Sequence, residues 1–271
     1  MILEKVEFKM EADQDKFVTH KVESVETNPG VGQRNISVGT SLTFFVLSLV
    51  INSAGNVLTL VTSAKIHPPF LGAAYWTAAE NNFGVAVGWN LFWTFLIIGM
   101  GTTVLNAILV GHWSWRRALG NLCFMVPFSA LIQIFQDFFM GNYPQLFSGF
   151  PEAHGAVMVT LYVGLNFLGV ALIAIAISIY QRVNLVLHPA DDLMQILRFK
   201  YFKGNAVWAM LASYIPPTIL AIVAILITHT FTTFGVGTVF AFLAQGAITG
   251  WGDQHVFPWL KHQALDVGEK S

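Results

Sequence analysis

The chain has 271 residues, of which 55% are hydrophobic and only 11% are charged, and its mean hydropathy is +0.60. Soluble domains carry about 25% charged residues, so this composition excludes an ordinary soluble fold and indicates an all-α polytopic membrane protein. A net charge of −1 provides no basic field for nucleic acid, and a single cysteine excludes a disulfide framework.

Residues 1–37 are polar and of mixed charge, and they predict a soluble N-terminal tail. This segment has no basic region followed by an apolar core and a small-residue cleavage site, which is the pattern of a secretory signal. We therefore expect the first membrane-spanning helix to direct insertion.

Six apolar stretches follow, and each has about the 20 residues that a helix needs to cross the hydrocarbon core. They are residues 38–64, 85–110, 118–140, 156–180, 205–227 and 235–256. Two shorter stretches, 68–83 and 189–202, predict short helices that either re-enter the membrane or lie along its surface. The transmembrane domain is thus predicted over residues 38–260, with a C-terminal tail at 261–271.

The basic residues give the orientation. With six spans, thirteen of the fourteen Lys and Arg residues fall on one side, and the other side receives only Lys65. Short cytoplasmic loops retain positive charge during insertion. The sequence therefore predicts a multi-pass protein of the plasma membrane with both termini in the cytoplasm.

Matching segments after the first and fourth spans indicate an internal duplication. The dipeptide His-Pro places His67 and His188 at equivalent points 121 residues apart, and VGHWSWRRALGN aligns with ITHTFTTFGVGT. Pro68 and Pro189 suit the first turn of a helix, so each is expected to begin a short helix. Because each half has three spans, the halves, at about 38–141 and 155–260, should be inverted repeats.

The segments HPPFLGAAYW, HPADDLM and FGVGTVFAFLAQG resemble the YczE/YyaS/YitT-like bacterial integral membrane proteins. The similarity covers most of residues 38–260 and implies membership of a family more than an activity. The first half departs from the pattern, because HPPFLG has no acidic residue where HPADDL has two.

Polar residues at the repeat boundaries and inside the first span are the candidates for a site. Asn52 and Asn56 lie on one face of an apolar helix, and amides in a membrane need partners away from lipid. Asp191 and Asp192 lie in the first turn of the second short helix, where carboxylates either cap N–H groups or form a proton or cation site. We predict a substrate-binding cavity between the halves, bounded by Asn52, Asn56, His67, His188, Asp191 and Asp192.

Other motifs are missing or have simpler interpretations. Glu80 is expected to end the first short helix at a solvated surface. The sequence contains no P-loop, no dinucleotide-binding glycine pattern and no HExxH, so we predict no cofactor, no metal site and no catalytic residue.

Inverted repeats with interrupted helices favour a transporter for a small solute, with its site at the repeat interface. Such a protein acts alone on an ion gradient or as the membrane subunit of a larger transporter. Its expected partners are the lipid bilayer, the solute, and other subunits or a second copy of the chain. The alternatives are a membrane enzyme for apolar or lipid-linked substrates, and a non-catalytic assembly or sensing protein that binds partners through its tail.

Overall fold

The computed structural model describes residues 34–89, 91–230 and 233–267. The predicted N-terminal tail up to residue 33 and residues 268–271 of the predicted C-terminal tail lie outside these ranges. All regular elements in the described residues are helices: α1 Val38–Ala64, α2 Tyr75–Val87, α3 Leu91–Val110, α4 Trp115–Met140, α5 Gly155–Val183, α6 Pro189–Ile196, α7 Ala206–Ser213, α8 Ile215–Thr228 and α9 Val236–His255. A π-helical turn, Leu197–Tyr201, extends α6.

Five helices are long and apolar enough to cross a membrane by length and composition, consistent with a polytopic membrane protein. They are α1, α3, α4, α5 and the pair α7–α8, which together run from Ala206 to Thr228. The sixth predicted span forms the 20-residue helix α9, but it is not among the five. It is less apolar because it carries Thr238, Gln245 and Asp253.

Local sequence signals set several helix boundaries. The hydroxyl oxygen of Ser37 accepts a hydrogen bond from the Thr40 N–H and so caps the start of α1. Gly88 and Gly141 end α2 and α4 in the left-handed conformation, with φ values of +72° and +87°. The predicted first span coincides with α1.

Helices α1 and α5 cross where two glycines face each other. A Cβ atom at Gly55 would lie 2.7 Å from the carbonyl oxygen of Gly169, and one at Gly169 would lie 2.7 Å from that of Gly55. Small residues let helix backbones approach this closely inside a membrane. Beside the crossing, the amide of Asn166 donates to the carbonyl oxygen of Thr59 at 3.1 Å. The two helices therefore contact each other through backbone.

The remaining helices pack around this central pair. Helix α4 packs on α1, and α9 packs on α5. Each short helix packs against the opposite half of the chain: α2 contacts α8, and α6 contacts α3. Seven of the eight residues of α6 are buried, so α6 is enclosed by the bundle. The short helices thus connect the two halves.

The first short helix begins later than predicted. It starts at Tyr75 and not at Pro68, because the preceding segment bonds to the beginning of α9. The N–H groups of Val236 and Gly237 donate to the carbonyl oxygens of Phe70 and Leu71 at 2.9 and 2.7 Å, which satisfies unpaired N–H groups at the start of α9. In a helix that began at Pro68, the carbonyl oxygens of Phe70 and Leu71 would accept hydrogen bonds within that helix and would not be available to α9.

Among the described residues, Arg34, Arg117, Arg182 and Arg198 lie at one end of the bundle, here called the basic end, whereas Lys65 pairs with Glu152 at the other. Arg182 of α5 is 1% exposed and donates to the carbonyl oxygens of Val256, Phe257 and Leu260 at 2.8–3.1 Å. The Asp253 carboxylate lies 3.4 Å from its Nε. The last carbonyl groups of a helix have no partner within the helix. Arg182 thus donates hydrogen bonds to carbonyl groups at and after the end of α9.

The segment after α9 is packed against this end. The Gln263 N–H donates to the carbonyl oxygen of Arg182 at 2.8 Å, and the Asn184 amide donates to the carbonyl oxygens of Gln263 and Ala264 at 2.9 Å. Arg34 donates to the carbonyl oxygens of Val183 and Asn184. The described part of the predicted C-terminal tail, residues 261–267, is therefore part of the folded end.

We predict that Gly55→Ala lowers the free energy of unfolding by about 1–3 kcal/mol, because the new methyl group overlaps backbone of α5. Gly164→Ala in the same α5 is the matched control, since nothing lies within 4 Å of its Cβ position. The midpoint of thermal unfolding of detergent-purified protein measures the stability of both variants. Equal midpoints would show that α1 and α5 can move apart at the crossing without loss of stability.

Candidate functional site

The first turns of the two short helices line the same internal space. This central cavity measures about 60 Å³ and is bounded by α1 and α5 as well as by both helix starts. Its lining consists of Asn52, Asn56, Ala74, Tyr75, Trp76, Thr77, Glu80, Phe95, Phe128, Ile173, Ile177, His188, Ala190, Asp191, Tyr214 and Gln245. A helix start carries a partial positive charge, so two such ends meet here, and that of α6 is capped by His188.

A chain of hydrogen bonds connects the two short helices through the central pair. From α2, the Thr77 hydroxyl donates to Asn56 Oδ1 at 3.2 Å, and the Asn56 amide donates to Asn52 Oδ1 at 2.7 Å. The Asn52 amide donates to the Tyr180 oxygen at 3.2 Å. The Tyr180 hydroxyl then donates to the Asp191 carboxylate of α6. Five side chains, from Thr77 of α2 to Asp191 of α6, thus form one continuous network.

Two carboxyl side chains face the cavity. Glu80 is 2% exposed and has no hydrogen bond or ion pair with any part of the chain that the structure describes. Asp191 bonds to Tyr180, and its Oδ2 atom lies 4.0 Å from His188 Nδ1. No Lys or Arg is among the described lining residues. The cavity therefore contains more acidic groups than its protein partners neutralise.

The prediction that Glu80 ends the first short helix at a solvated surface is wrong. Helix α2 continues to Val87, seven residues beyond Glu80, and the face that carries Thr77 and Glu80 is buried. Its side chain lines the central cavity together with residues of α1, α3 and α5, so the carboxyl group lies inside the bundle. The signal that could have identified it is a single carboxyl in an otherwise uncharged short helix, since such groups are costly in a membrane and usually functional.

Asp192 faces away from the central cavity, although it is the neighbour of Asp191. Its Oδ2 atom lies 3.3 Å from Arg117 Nε, and the amides of Asn106 and Asn121 point to it at 3.4 and 3.3 Å. It lines a second cavity of about 300 Å³ at the basic end. That cavity is lined by Arg34, Ser114, Arg116, Arg117, Gly120, Asn121, Asn184, Leu185, Val186, Leu187, Asp192, Ala264 and Asp266.

The two histidines predicted to be equivalent occupy different environments. His188 caps α6, and its Nδ1 atom accepts from the Ala190 N–H at 3.3 Å. His67 lies at the end opposite the basic end, 70% exposed, with Nε2 3.3 Å from Glu152. A hydrogen bond from Lys65 holds the pKa of that Glu152 carboxyl below its usual value. The residue that precedes α2 is Ala74, so His67 does not cap a short helix as His188 does.

The structure thus brings four of the six predicted site residues together. Asn52, Asn56, His188 and Asp191 line the central cavity, whereas His67 and Asp192 do not. Their role in binding stays a prediction. Sequence reasoning missed Glu80 and the aromatic residues of the lining, because aromatic side chains in apolar helices are equally typical of lipid contact.

Comparison with known proteins gives a family but no activity. Residues 39–254, about four-fifths of the chain, match a family described as a family of unknown function, DUF6198. No curated protein and no solved structure matches the chain. The resemblance to YczE/YyaS/YitT-like proteins therefore stays a prediction.

We predict that Tyr180→Phe destabilises the fold by about 1–3 kcal/mol, because it removes the hydroxyl that joins Asn52 to Asp191 and leaves both buried groups without that partner. Tyr143→Phe, at a ring that is 42% exposed, is the control and should not change stability. Thermal unfolding of the purified proteins measures the effect, and an unchanged midpoint for Tyr180→Phe would argue against a continuous network.

Proposed function

The chain belongs to DUF6198, a family of unknown function, and we propose that it is a membrane transport protein for a small solute that binds in the central cavity. One observation carries this proposal: two short helices, one from each half of the chain, begin at a single cavity that contains the buried carboxyl of Glu80 and the partly buried carboxyl of Asp191. Transporters with broken helices commonly bind substrate where half-helix ends meet.

An inverted duplication is part of the proposal. The crossing glycines Gly55 and Gly169 are 114 positions apart, and so are Asn52 and Asn166. The same offset relates Ala74 to His188, which precede α2 and α6. The reciprocal packing of each short helix on the opposite half supports a pseudo-twofold axis. If α9 is counted as a sixth span, each half has three spans, and such an axis lies in the membrane plane and suits alternating access.

The cost of burial supports a coupling role for the carboxyl groups. An unpaired ionised carboxylate in a low-dielectric interior costs several kcal/mol, so each such group holds a proton or a cation while the cavity is closed. We propose that Glu80 and Asp191 exchange that proton or cation during transport. The chain would then use an ion gradient, either alone or as the membrane subunit of a larger transporter.

The orientation follows from the basic end, which we propose to be cytoplasmic. In a Cys123→Ala background, we predict that an impermeant maleimide added to intact cells labels Leu146→Cys but not His20→Cys. Leu146 is 78% exposed in the segment between α4 and α5, at the end opposite the basic end. Labelling of both variants after permeabilisation is the control. Reaction of the cysteine at residue 20 in intact cells would show that the topology is the reverse of the proposed one.

We predict that Asn52→Leu and Asn56→Leu abolish solute uptake, because each replacement removes an amide from the cavity wall and places an apolar side chain there. Proteoliposomes are incubated with a mixture of small metabolites, and the contents are analysed by mass spectrometry. Asn142→Leu, on an exposed loop, is the control and should retain uptake. Failure of the wild-type protein to accumulate any solute, or uptake by both cavity variants, contradicts the proposal.

A further inference from the structure

We propose that the central cavity binds a small monovalent organic cation whose charged group is an ammonium or a guanidinium. This inference rests on the proposed function only in taking the cavity as the solute site. It is carried by the size of the cavity, by its balance of charge and by the chemistry of its walls.

The volume of the cavity matches a charged group of a few atoms. One water needs about 10–15 Å³ of such space, so a volume of about 60 Å³ admits roughly four to six non-hydrogen atoms. Guanidinium and short alkylammonium ions meet this limit. Sugars, nucleotides and lipids exceed this volume.

The balance of charge favours a single positive charge. Two ionised carboxylates, Glu80 and Asp191, would contribute about −2, and two helix starts contribute about +0.5 each. The nearest acidic neighbour, Asp192, is already paired with Arg117 outside the cavity. A net charge of about −1 then remains, which one monovalent cation neutralises. Glu80 is the strongest indication, because it is buried and lacks a partner in the described chain.

The walls favour an organic cation over a metal ion. Five aromatic side chains line the cavity, and their faces attract ammonium and guanidinium groups. Calcium requires six to eight oxygen ligands, and magnesium an octahedral set. Here the Oδ1 atoms of Asn52 and Asn56 already accept hydrogen bonds, and the Gln245 Oε1 atom accepts from Tyr214 at 2.9 Å. In the described part of the chain, no three His, Cys, Asp or Glu side chains lie close enough together to hold a metal ion.

The test is direct binding of radiolabelled guanidinium to the purified full-length protein in lipid nanodiscs, by a scintillation proximity assay. We expect saturable binding that methylammonium displaces and that sodium, magnesium and acetate do not displace at equal ionic strength. Glu80→Gln and Asp191→Asn should each weaken binding by about tenfold or more, since each removes a charged hydrogen-bond acceptor. Glu152→Gln neutralises an exposed carboxyl far from the cavity and should bind as the wild type does.

Absence of saturable binding, equal displacement by sodium, or unchanged affinity in both cavity carboxyl variants would overturn the inference. If those variants do not fold, Phe128→Leu replaces one aromatic wall and should weaken binding about threefold, and an unchanged affinity there would also overturn it. Guanidinium binding without any solute uptake in proteoliposomes would sustain the cation site and reject transport. Uptake of a neutral or anionic solute without guanidinium binding would reject the cation site and sustain transport.

Discussion

The backbone contact between α1 and α5 is the constraint on which the rest of the structure depends. Gly55 and Gly169 allow the helices to approach until each Cα faces a carbonyl of the other. At this separation, Asn52 of α1 reaches Tyr180 of α5, and the network can pass from one helix to the other. Larger side chains at the crossing would separate the helices, and the central cavity would lose its continuous polar wall.

Helix α6 lies between two cavities of different character. Asp191 faces the central cavity, whereas Asp192 pairs with Arg117 beside the larger cavity at the basic end. Adjacent residues of one buried helix therefore contact both spaces. A displacement of α6 changes the environment of both carboxyl groups at once, because the helix backbone links them rigidly. This geometry suits a protein in which occupancy of a central site is coupled to opening at one end.

The sequence by itself determined the helices and part of the site. The lengths of the apolar stretches predicted the helical segments, because a spanning helix must cover the hydrocarbon core. The predicted first span coincides with α1. Helical periodicity placed Asn52 and Asn56 on one face, and the cost of amides in lipid marked that face as interior. The position of Asp191 in the first turn after His188 likewise followed from local sequence, since short-range capping geometry fixes it.

Only the tertiary structure decided which polar groups share a cavity. Glu80 is buried because its side chain lies among residues of α1, α3 and α5 around the central cavity. Helix α2 starts at Tyr75 because α9 takes the carbonyls of Phe70 and Leu71 as acceptors. Likewise, Asp192 turns to Arg117, which is 75 positions away in the chain. These choices depend on contacts between segments far apart in sequence, and local periodicity and helix propensity carry no information about such partners.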